Sequence, residues 1–530
     1  MGILSPADLD LAKTIGDLSY SNPFGPERIE LERRALGDHY VETGTVKAFE
    51  PGASPNPNMP LLAERVSAVL AAANATGQRP TNKDLAAGGD LALFVLYHRY
   101  LYPLYELVLA CESGPIEVEW YETFAADTEA LLTLGGRRMR PEDDAPGLLA
   151  LFFQLVRAFV NIYDNLVGRT PAAAALRASM WESIFTHDLA RYRRLLFGHG
   201  NCPMADIPTL ITGPSGTGKE LVASAIGHSA FLAFDPACRR FELDPGATFL
   251  PIHLASLSPS LIESELFGHR RGAFTGALED RTSFLEACAP SGAVFLDEIA
   301  EIDPTLQVKL LRVLQTREFR RLGDSGTRRF TGRLISATNR DLAAEIEAGR
   351  FREDLYFRLN ADRIETPSLR QLIEGSATEL EHLVRFVSGR LLPTSAKPTP
   401  AHHPSAEVLE PADTGRGTTA DPAEAQHFAA DLCAWIEANL GLDYAWPGNF
   451  RELEQCARAF LIRGRYRPER RATGTGLDSL VAALRAGELT ADDLQTAYCR
   501  HVHGLVGTFD GTARRLGLDR RTVKARVTPK

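Results

Sequence analysis

The sequence predicts a multidomain protein centred on an α/β core, a parallel sheet with helices on both faces. A mostly helical N-terminal region, a second helical region and a small C-terminal helical unit flank it. Three observations predict this. From Pro208 onward, short apolar runs alternate with helical patterns, the order that builds a parallel sheet rather than hairpins. Three of those runs, Thr209–Thr212, Ala293–Leu296 and Arg333–Ala337, end in glycines or polar pairs, and ligands in such sheets sit at the carboxyl ends of the strands. Residues 1–190 instead space their apolar residues as helices do.

In chain order, residues 1–190 read as the first domain. Leu61–Asn74 and Leu91–Ala110 are helical, and the Pro/Asn-rich stretch 51–60 is a loop. The aromatic run from Tyr97 to Tyr105 offers either a core stripe or a pocket wall, and its place in a helical pattern favours the core stripe. The region lacks the acidic pocket and lysine of a phosphorylated receiver, and by position alone it reads as regulatory. Residues 191–365 form the α/β domain. Residues 366–475 read as helical, interrupted at 393–425 by a stretch rich in Pro, Ala, Thr and Gly that has too little apolar area to offset its ordering entropy and is expected to be a flexible insertion. Residues 476–530 form a terminal helical unit.

Bulk properties narrow the functional classes. Hydrophobic residues make up 44% and charged residues 24% of 530, ordinary for a globular chain. The net charge of −10 argues against nucleic acid along the whole length, so any DNA contact must come from a local basic patch. No apolar run was expected to be long enough to span a membrane, and the N-terminus lacks the order of a signal peptide. The seven cysteines are scattered without a CxxC pair, so neither a zinc cluster nor a disulfide framework is expected, and a reducing cytoplasm fits.

Three motifs carry chemistry. Gly213, Pro214, Ser215, Gly216, Thr217, Gly218, Lys219 and Glu220 follow a strand and open a helix. Glycines there turn backbone N–H groups toward phosphate oxygens, the helix N-terminus adds positive potential, and Lys219 reaches the outer phosphates. The strict phosphate-loop pattern wants Ser or Thr where Glu220 stands. Second, Asp297 and Glu298 close the strand Ala293–Leu296. Alone, an acid pair there more often caps a helix. Downstream of a phosphate loop, Asp297 reads as a Mg²⁺ ligand and Glu298 as the group that polarises an attacking water. Third, Gly272, Ala273, Phe274, Thr275, Gly276 and Ala277 place an aromatic between glycines. Exposed loop aromatics mark partner surfaces, although physics alone favours a packed turn.

With these residues in view, the chain resembles the bacterial enhancer-binding proteins, the AAA+ activators of sigma-54 RNA polymerase. The resemblance rests on ITGPSGTGKELVASAIG, ESELFGHRRGAFTGA, AVFLDEIAEI, KLLRVLQTREFRRLG, RLISATNRDL, FREDLYFRLN and AWPGNFRELEQCARAF, seven blocks in family order. It implies an AAA+ P-loop ATPase core with a helical lid over 366–475, ATP and Mg²⁺ as ligands, and Glu220 as the ordinary residue after the lysine. It also implies that Thr338 and Asn339 sense the γ-phosphate, that Arg352 and Arg358 are arginine fingers reaching a neighbour's ATP, and that Arg451 is a second sensor. Arginines supplied in trans imply an oligomer, by resemblance a hexameric ring. The Gly272–Ala277 loop would contact sigma-54. One departure is His253 where the family carries an Asn that restrains the catalytic glutamate; imidazole also hydrogen-bonds a carboxylate, but with a pH-dependent charge.

The C-terminal unit resembles the Fis-type helix-turn-helix of the same family. Two short helices meet at Gly517-Leu518 with Asp519 as an N-cap. From Arg500 onward there are eight basic and two acidic residues. Arg520, Arg521, Thr522, Lys524 and Arg526 lie on or beside the recognition helix and are the expected contacts to upstream DNA. The reading is an ATP-hydrolysing, sigma-54-dependent transcription regulator that opens promoter complexes and touches no membrane. An AAA+ remodelling ATPase without a promoter role is the alternative, opposed by the loop and the terminal unit; a DNA-binding repressor with a dead ATPase is opposed by the intact Lys219, Asp297, Glu298 and arginines.

Overall fold

Five strands form one parallel sheet: β1 Thr209–Thr212, β2 Phe249–His253, β3 Ala293–Asp297, β4 Arg333–Thr338 and β5 Asp362–Glu365, in the spatial order β5-β1-β4-β3-β2. The computed structural model describes residues 2–42, 56–110, 117–199, 204, 206–241, 249–290, 292–391, 422–468 and 490–527. The α/β architecture is as the sequence predicts, with two more strands. β2 contains Pro251, and β5 reads Asp-Arg-Ile-Glu; both occupy the sheet edges, where a missing N–H and polar side chains are tolerated. The three interior strands are the apolar ones, because both of their faces are covered.

Alternation along each strand sorts its side chains into two layers. Ile211, Phe295, Ile335 and Ile364 face a core shared with Lys219–Gly227 and the N-terminal helices. Leu210, Val294, Leu296 and Leu334 face a second core built with the helices Pro259–Phe267, Pro304–Thr316 and Glu353–Leu359. Phe295 is fully buried, and truncating it to Ala would cost about 3–5 kcal/mol.

The N-terminal helices therefore pack directly on the sheet rather than standing apart from it. Helix Asn58–Ala75 starts inside the stretch read as a loop at 51–60, whose residues 51–55 lie outside the described residues. Helix Asn82–Ala110 contains the aromatic run. Helix Ala145–Asn165 opens with Asp144 accepting from the Gly147 N–H at 2.9 Å and Pro146 in its first turn. Its Gln154 donates to the Ser229 carbonyl at 3.0 Å, and Asn161 to the Ser229 hydroxyl at 3.1 Å. Phe153 stacks on Phe241 with centroids 4.1 Å apart. One sequence expectation fails here: Ala145–Tyr163 is long and apolar enough to cross a membrane. It is apolar because it lies between two packed layers, with 78% of the span buried.

Beyond the sheet, helices Leu369–Ile373, Ala377–Leu391, Pro422–Asn439 and Asn449–Arg463 make up the second helical region. Of the expected insertion 393–425, residues 393–421 lie outside the described residues, and helix Pro422–Asn439 begins within its last four. A separate compact unit, Arg463–Lys530, holds, among the described residues, three helices, Ala491–Val506, Phe509–Leu516 and Arg520–Val527, around buried Cys499, Val502, Ala513 and Val523.

Candidate active site

The carboxyl ends of β1, β3 and β4 converge because all five strands run parallel. After β1 the chain turns through Gly213 (φ 150°) and Gly216 (φ 77°). A Cβ on Gly213 would sit 2.1 Å from the Thr366 hydroxyl, and one on Gly216 would sit 2.4 Å from the Gly448 carbonyl, so close packing as well as backbone conformation demands glycine at both. The Lys219 ammonium lies within this loop, donating to the Gly213 and Pro214 carbonyls at 3.0 and 3.1 Å. Burial lowers its pKa, opposed by the negative charges of Glu298 and Asp297.

The second helical region closes over the loop. Asn449 donates to the Ser215 carbonyl at 2.9 Å, the Phe450 N–H donates to the Gly216 carbonyl at 3.0 Å, and Arg451 reaches the Ser215 hydroxyl at 3.1 Å. Thr217 and Thr366 share a hydroxyl contact of 2.6 Å. Among these, Thr366 and Asn449 escaped the sequence reading. The available signals were weak: Thr366 follows a short polar strand, and Asn449 lies between a glycine and an aromatic with φ 52°.

At the end of β3, Asp297 accepts from the Glu298 N–H at 3.1 Å. Glu298 adopts a left-handed conformation (φ 57°, ψ 52°), which costs a non-glycine residue on the order of 1–3 kcal/mol and clusters at functional sites. Its carboxylate accepts from the Asn339 N–H at 3.4 Å. Thr338, by contrast, is fully buried, and its hydroxyl accepts from the Arg340 N–H at 3.1 Å. His253 pairs in register with Asp297, placing its Nδ1 3.3 Å from that carboxylate and its Nε2 3.7 Å from Glu220. It therefore lies against Asp297 and Glu220, at the position where the resemblance places an Asn that restrains the catalytic glutamate. The register is the reason, since it sets His253 beside Asp297.

The arginines Arg352 and Arg358 are not gathered into this cluster. Arg352 pairs with Asp354 at 2.7 Å. Arg358 is exposed and has no side-chain partner among the described residues. The glycine-flanked loop is also outward-facing. Its base is fixed by Arg270 donating to Asp280 at 2.5 Å and by backbone bonds to Leu322. The Gly272 N–H donates to the Ala277 carbonyl at 2.8 Å, and Ala277 N–H to that of Phe274 at 3.0 Å. These bonds close the turn locally, leaving Phe274 40% and Leu278 81% exposed.

Residues 192–365 match the family profile described as "Sigma-54 interaction domain". The chain is 36% identical over 378 residues to the transcriptional regulatory protein ZraR of Klebsiella oxytoca, covering 70% of this chain and 72% of that one. It is 40% identical over 310 residues to the Nif-specific regulatory protein of Azotobacter vinelandii, covering 58% and 50% respectively; the chain thus spans about half the length of that relative. NtrX from Brucella abortus in complex with ATP overlaps with a TM-score of 0.38 at 22% identity, over 73% of this chain and 76% of that one. The chain belongs to the sigma-54-dependent transcription regulators.

In this regulator the terminal unit places its basic residues unevenly. Asp519 accepts from the Arg521 N–H at 2.8 Å, capping the last helix, and Gly517 (φ 64°) ends the one before it. Arg521 and Lys524 are exposed, Arg520 lies 3.4 Å from Asp510, and Thr522 is half-buried. Arg526 is turned inward, bonded to Asp492 at 2.7 Å and to the Thr496 hydroxyl at 2.8 Å, and its hydrogen bond, together with its charge, lowers the Asp492 pKa.

Proposed function

We propose that this regulator hydrolyses ATP in a ring of identical subunits and uses the cycle to press the Phe274–Thr275 loop against sigma-54 RNA polymerase, while its terminal helices hold upstream DNA. The observation that carries the reading is the joint placement of Lys219, Asp297, Glu298 and Arg451 at the carboxyl ends of the sheet's interior strands. Lys219 neutralises outer phosphate charge, and Arg451 tethers the second helical region to the phosphate loop. The Asp297 and Glu220 carboxylates converge on His253, and such oxygen donors suit a hard divalent cation. Asp297 would hold Mg²⁺, whose charge offsets that developing on the phosphates. Glu298 accepts a proton as water attacks the γ-phosphorus, and the bond from that phosphorus to the bridging oxygen breaks, releasing ADP. Arg358 and Arg352 add positive charge to a neighbour's transferring phosphate, which makes turnover depend on assembly. Arg521 and Lys524 are the free DNA contacts; Thr522 and Arg520 flank them, and Arg526 braces the helix that presents them.

The decisive experiment is Thr275→Ala, which removes one hydroxyl and one methyl from an exposed turn. Phosphate release should stay within about twofold of wild type, because no cleft contact changes, while open-complex formation at a sigma-54 promoter is abolished. Full transcription by the variant would overturn the assignment of the loop; equal loss of both would make it structural.

A further inference from the structure

Two adjoining cavities of about 120 Å³ and about 380 Å³ lie among the N-terminal helices, sharing Arg28, Met59, Tyr97, His98 and Phe159 as walls. The larger falls within the roughly 300–1,000 Å³ typical of small-molecule sites, which are mostly apolar with a few polar groups. The aromatic run contributes both to core and to cavity: Tyr100 and Leu104 are buried, whereas Tyr97, His98 and Tyr102 form wall. Phe94, Phe152 and Trp181 line the smaller cavity, with His98 against Phe94 at 4.3 Å and Tyr97 edge-on to Phe152 at 5.3 Å.

The polar groups are of two kinds. Lining charges are paired within the protein: Arg28 with Glu32 at 2.8 Å, Asp90 with Arg140 at 2.6 Å, Arg193 with Asp143 at 2.8 Å and Arg99 with Asp127 at 2.9 Å. Glu64, at the wall of the larger cavity, is exposed. The Tyr97 hydroxyl and the His98 ring have no hydrogen-bond partner among the described residues. Both are held neutral: burial raises the Tyr97 pKa, and burial together with the Arg28 charge pushes His98 down to about 3. With every lining charge paired except the solvent-facing Glu64, and with neutral, unpartnered groups on Tyr97 and His98, the interior of the site rejects an ion, whose desolvation nothing there offsets, and accepts a neutral ring with a hydrogen-bonding group.

One element joins the cavity to the phosphate loop. Helix Ala145–Asn165 presents Leu148, Phe152, Leu155 and Phe159 to the smaller cavity. On its opposite face, Gln154 and Asn161 bond to Ser229, two residues beyond the helix that begins at Lys219. The two sets follow the 3.6-residue period half a turn apart.

We propose that these cavities form a binding site for an uncharged, ring-bearing small molecule with one hydrogen-bonding group, and that occupancy is felt at the phosphate loop through helix Ala145–Asn165. The coupling limb rests on the nucleotide-site reading above; the binding limb does not. The test titrates the fluorescent neutral probe 1-naphthol, and its charged counterpart 1-naphthoate, onto the full chain. 1-Naphthol should bind at least tenfold more tightly than 1-naphthoate. Ala63→Trp, which fills the larger cavity, should weaken 1-naphthol at least tenfold while the chain keeps its wild-type helical circular dichroism. Tyr97→Phe, which keeps the ring, should weaken it about 3- to 10-fold but leave naphthalene unaffected. No saturable binding, equal binding by Ala63→Trp, or a preference for naphthoate overturns the site. Coupling is reciprocal, so a non-hydrolysable ATP analogue should shift 1-naphthol affinity at least threefold, and Asn161→Ala should erase the shift while retaining binding. An unchanged affinity overturns the transmission. Direct titration of ATP in the absence of probe reads the nucleotide site separately, so its failure is distinguishable.

Discussion

In the cleft at the carboxyl ends of the strands, the candidate functional side chains are tied to one another. Lys219 is bonded to its own loop, Ser215 to Arg451, Thr217 to Thr366, and Asp297 to His253. At the tip of the Gly272–Ala277 loop the ties are fewer, since turn bonds satisfy the backbone and leave Thr275 facing outward and Phe274 exposed, with the His269 ring edge-on to it at 5.0 Å. Groups that act within one chain must be preorganised by neighbours, because geometry determines their chemistry. Groups that act on a second molecule must stay free of neighbours, and a locally closed turn is the way to hold them there. Arg358, Arg521 and Lys524 share the second condition.

The contrast predicts how each region fails. The largest expected effect belongs to Arg358, the outward group proposed to act on a neighbour's cleft. Arg358→Ala should lower turnover by about 10³-fold or more. Mixing it with Lys219→Ala subunits should restore part of the activity, since each supplies what the other lacks at some interfaces. Turnover independent of protein concentration would break the assignment of Arg358 to the outward class. Next, Glu298→Gln should retain ATP while turnover falls about 10²- to 10⁴-fold, measured by steady-state phosphate release; wild-type turnover would remove Glu298 from the chemistry.

Smaller effects sharpen the same division at the terminal unit. Arg521→Ala or Lys524→Ala should weaken upstream-site binding without unfolding the unit. The cost is about 1–3 kcal/mol with relaxed specificity for a base contact, or one unit less of salt slope for a phosphate contact. Arg526→Ala should instead lower the thermal stability of the unit, because it loses Asp492 and Thr496. A pure DNA-binding defect for that variant would place Arg526 among the outward groups.

The smallest effect concerns acid sensitivity. The His98 pKa lies near 3 in the folded chain, against about 6.5 unfolded. The unfolded state therefore binds the extra proton first, and stability present above pH 6.5 is lost as pH falls toward 3. Thermal melts between pH 7.5 and 5 should show a larger fall for wild type than for His98→Gln. Equal falls would mean that His98 charges freely in the folded state.

The motif strands were legible because burial on both faces forces near-continuous apolar runs, as in Ala293–Leu296 and Arg333–Ala337. The edge strands β2 and β5 were not, because an edge tolerates Pro251 and the Asp-Arg-Ile-Glu pattern. In the cleft, Lys219, Asp297 and Glu298 could be found from their positions at strand ends. Thr366 and Asn449 could not, since the contacts that bring them to the phosphate loop are all with residues distant in sequence, Thr212 and Thr217 for the one and Ser215 for the other.

Local chemistry in the sequence marked the phosphate loop and the basic terminal helices, because each depends on neighbours within a few residues, whereas the acid pair and the glycine-flanked aromatic took their meaning from motifs elsewhere in the chain. Tertiary structure alone decided the rest. It moved His253 to Asp297 through strand register, turned Arg526 inward through a pairing 34 residues away, and made one aromatic run serve as both core and cavity wall. These outcomes depend on which surfaces meet, and a segment's own periodicity shows which face is buried but not which distant segment covers it.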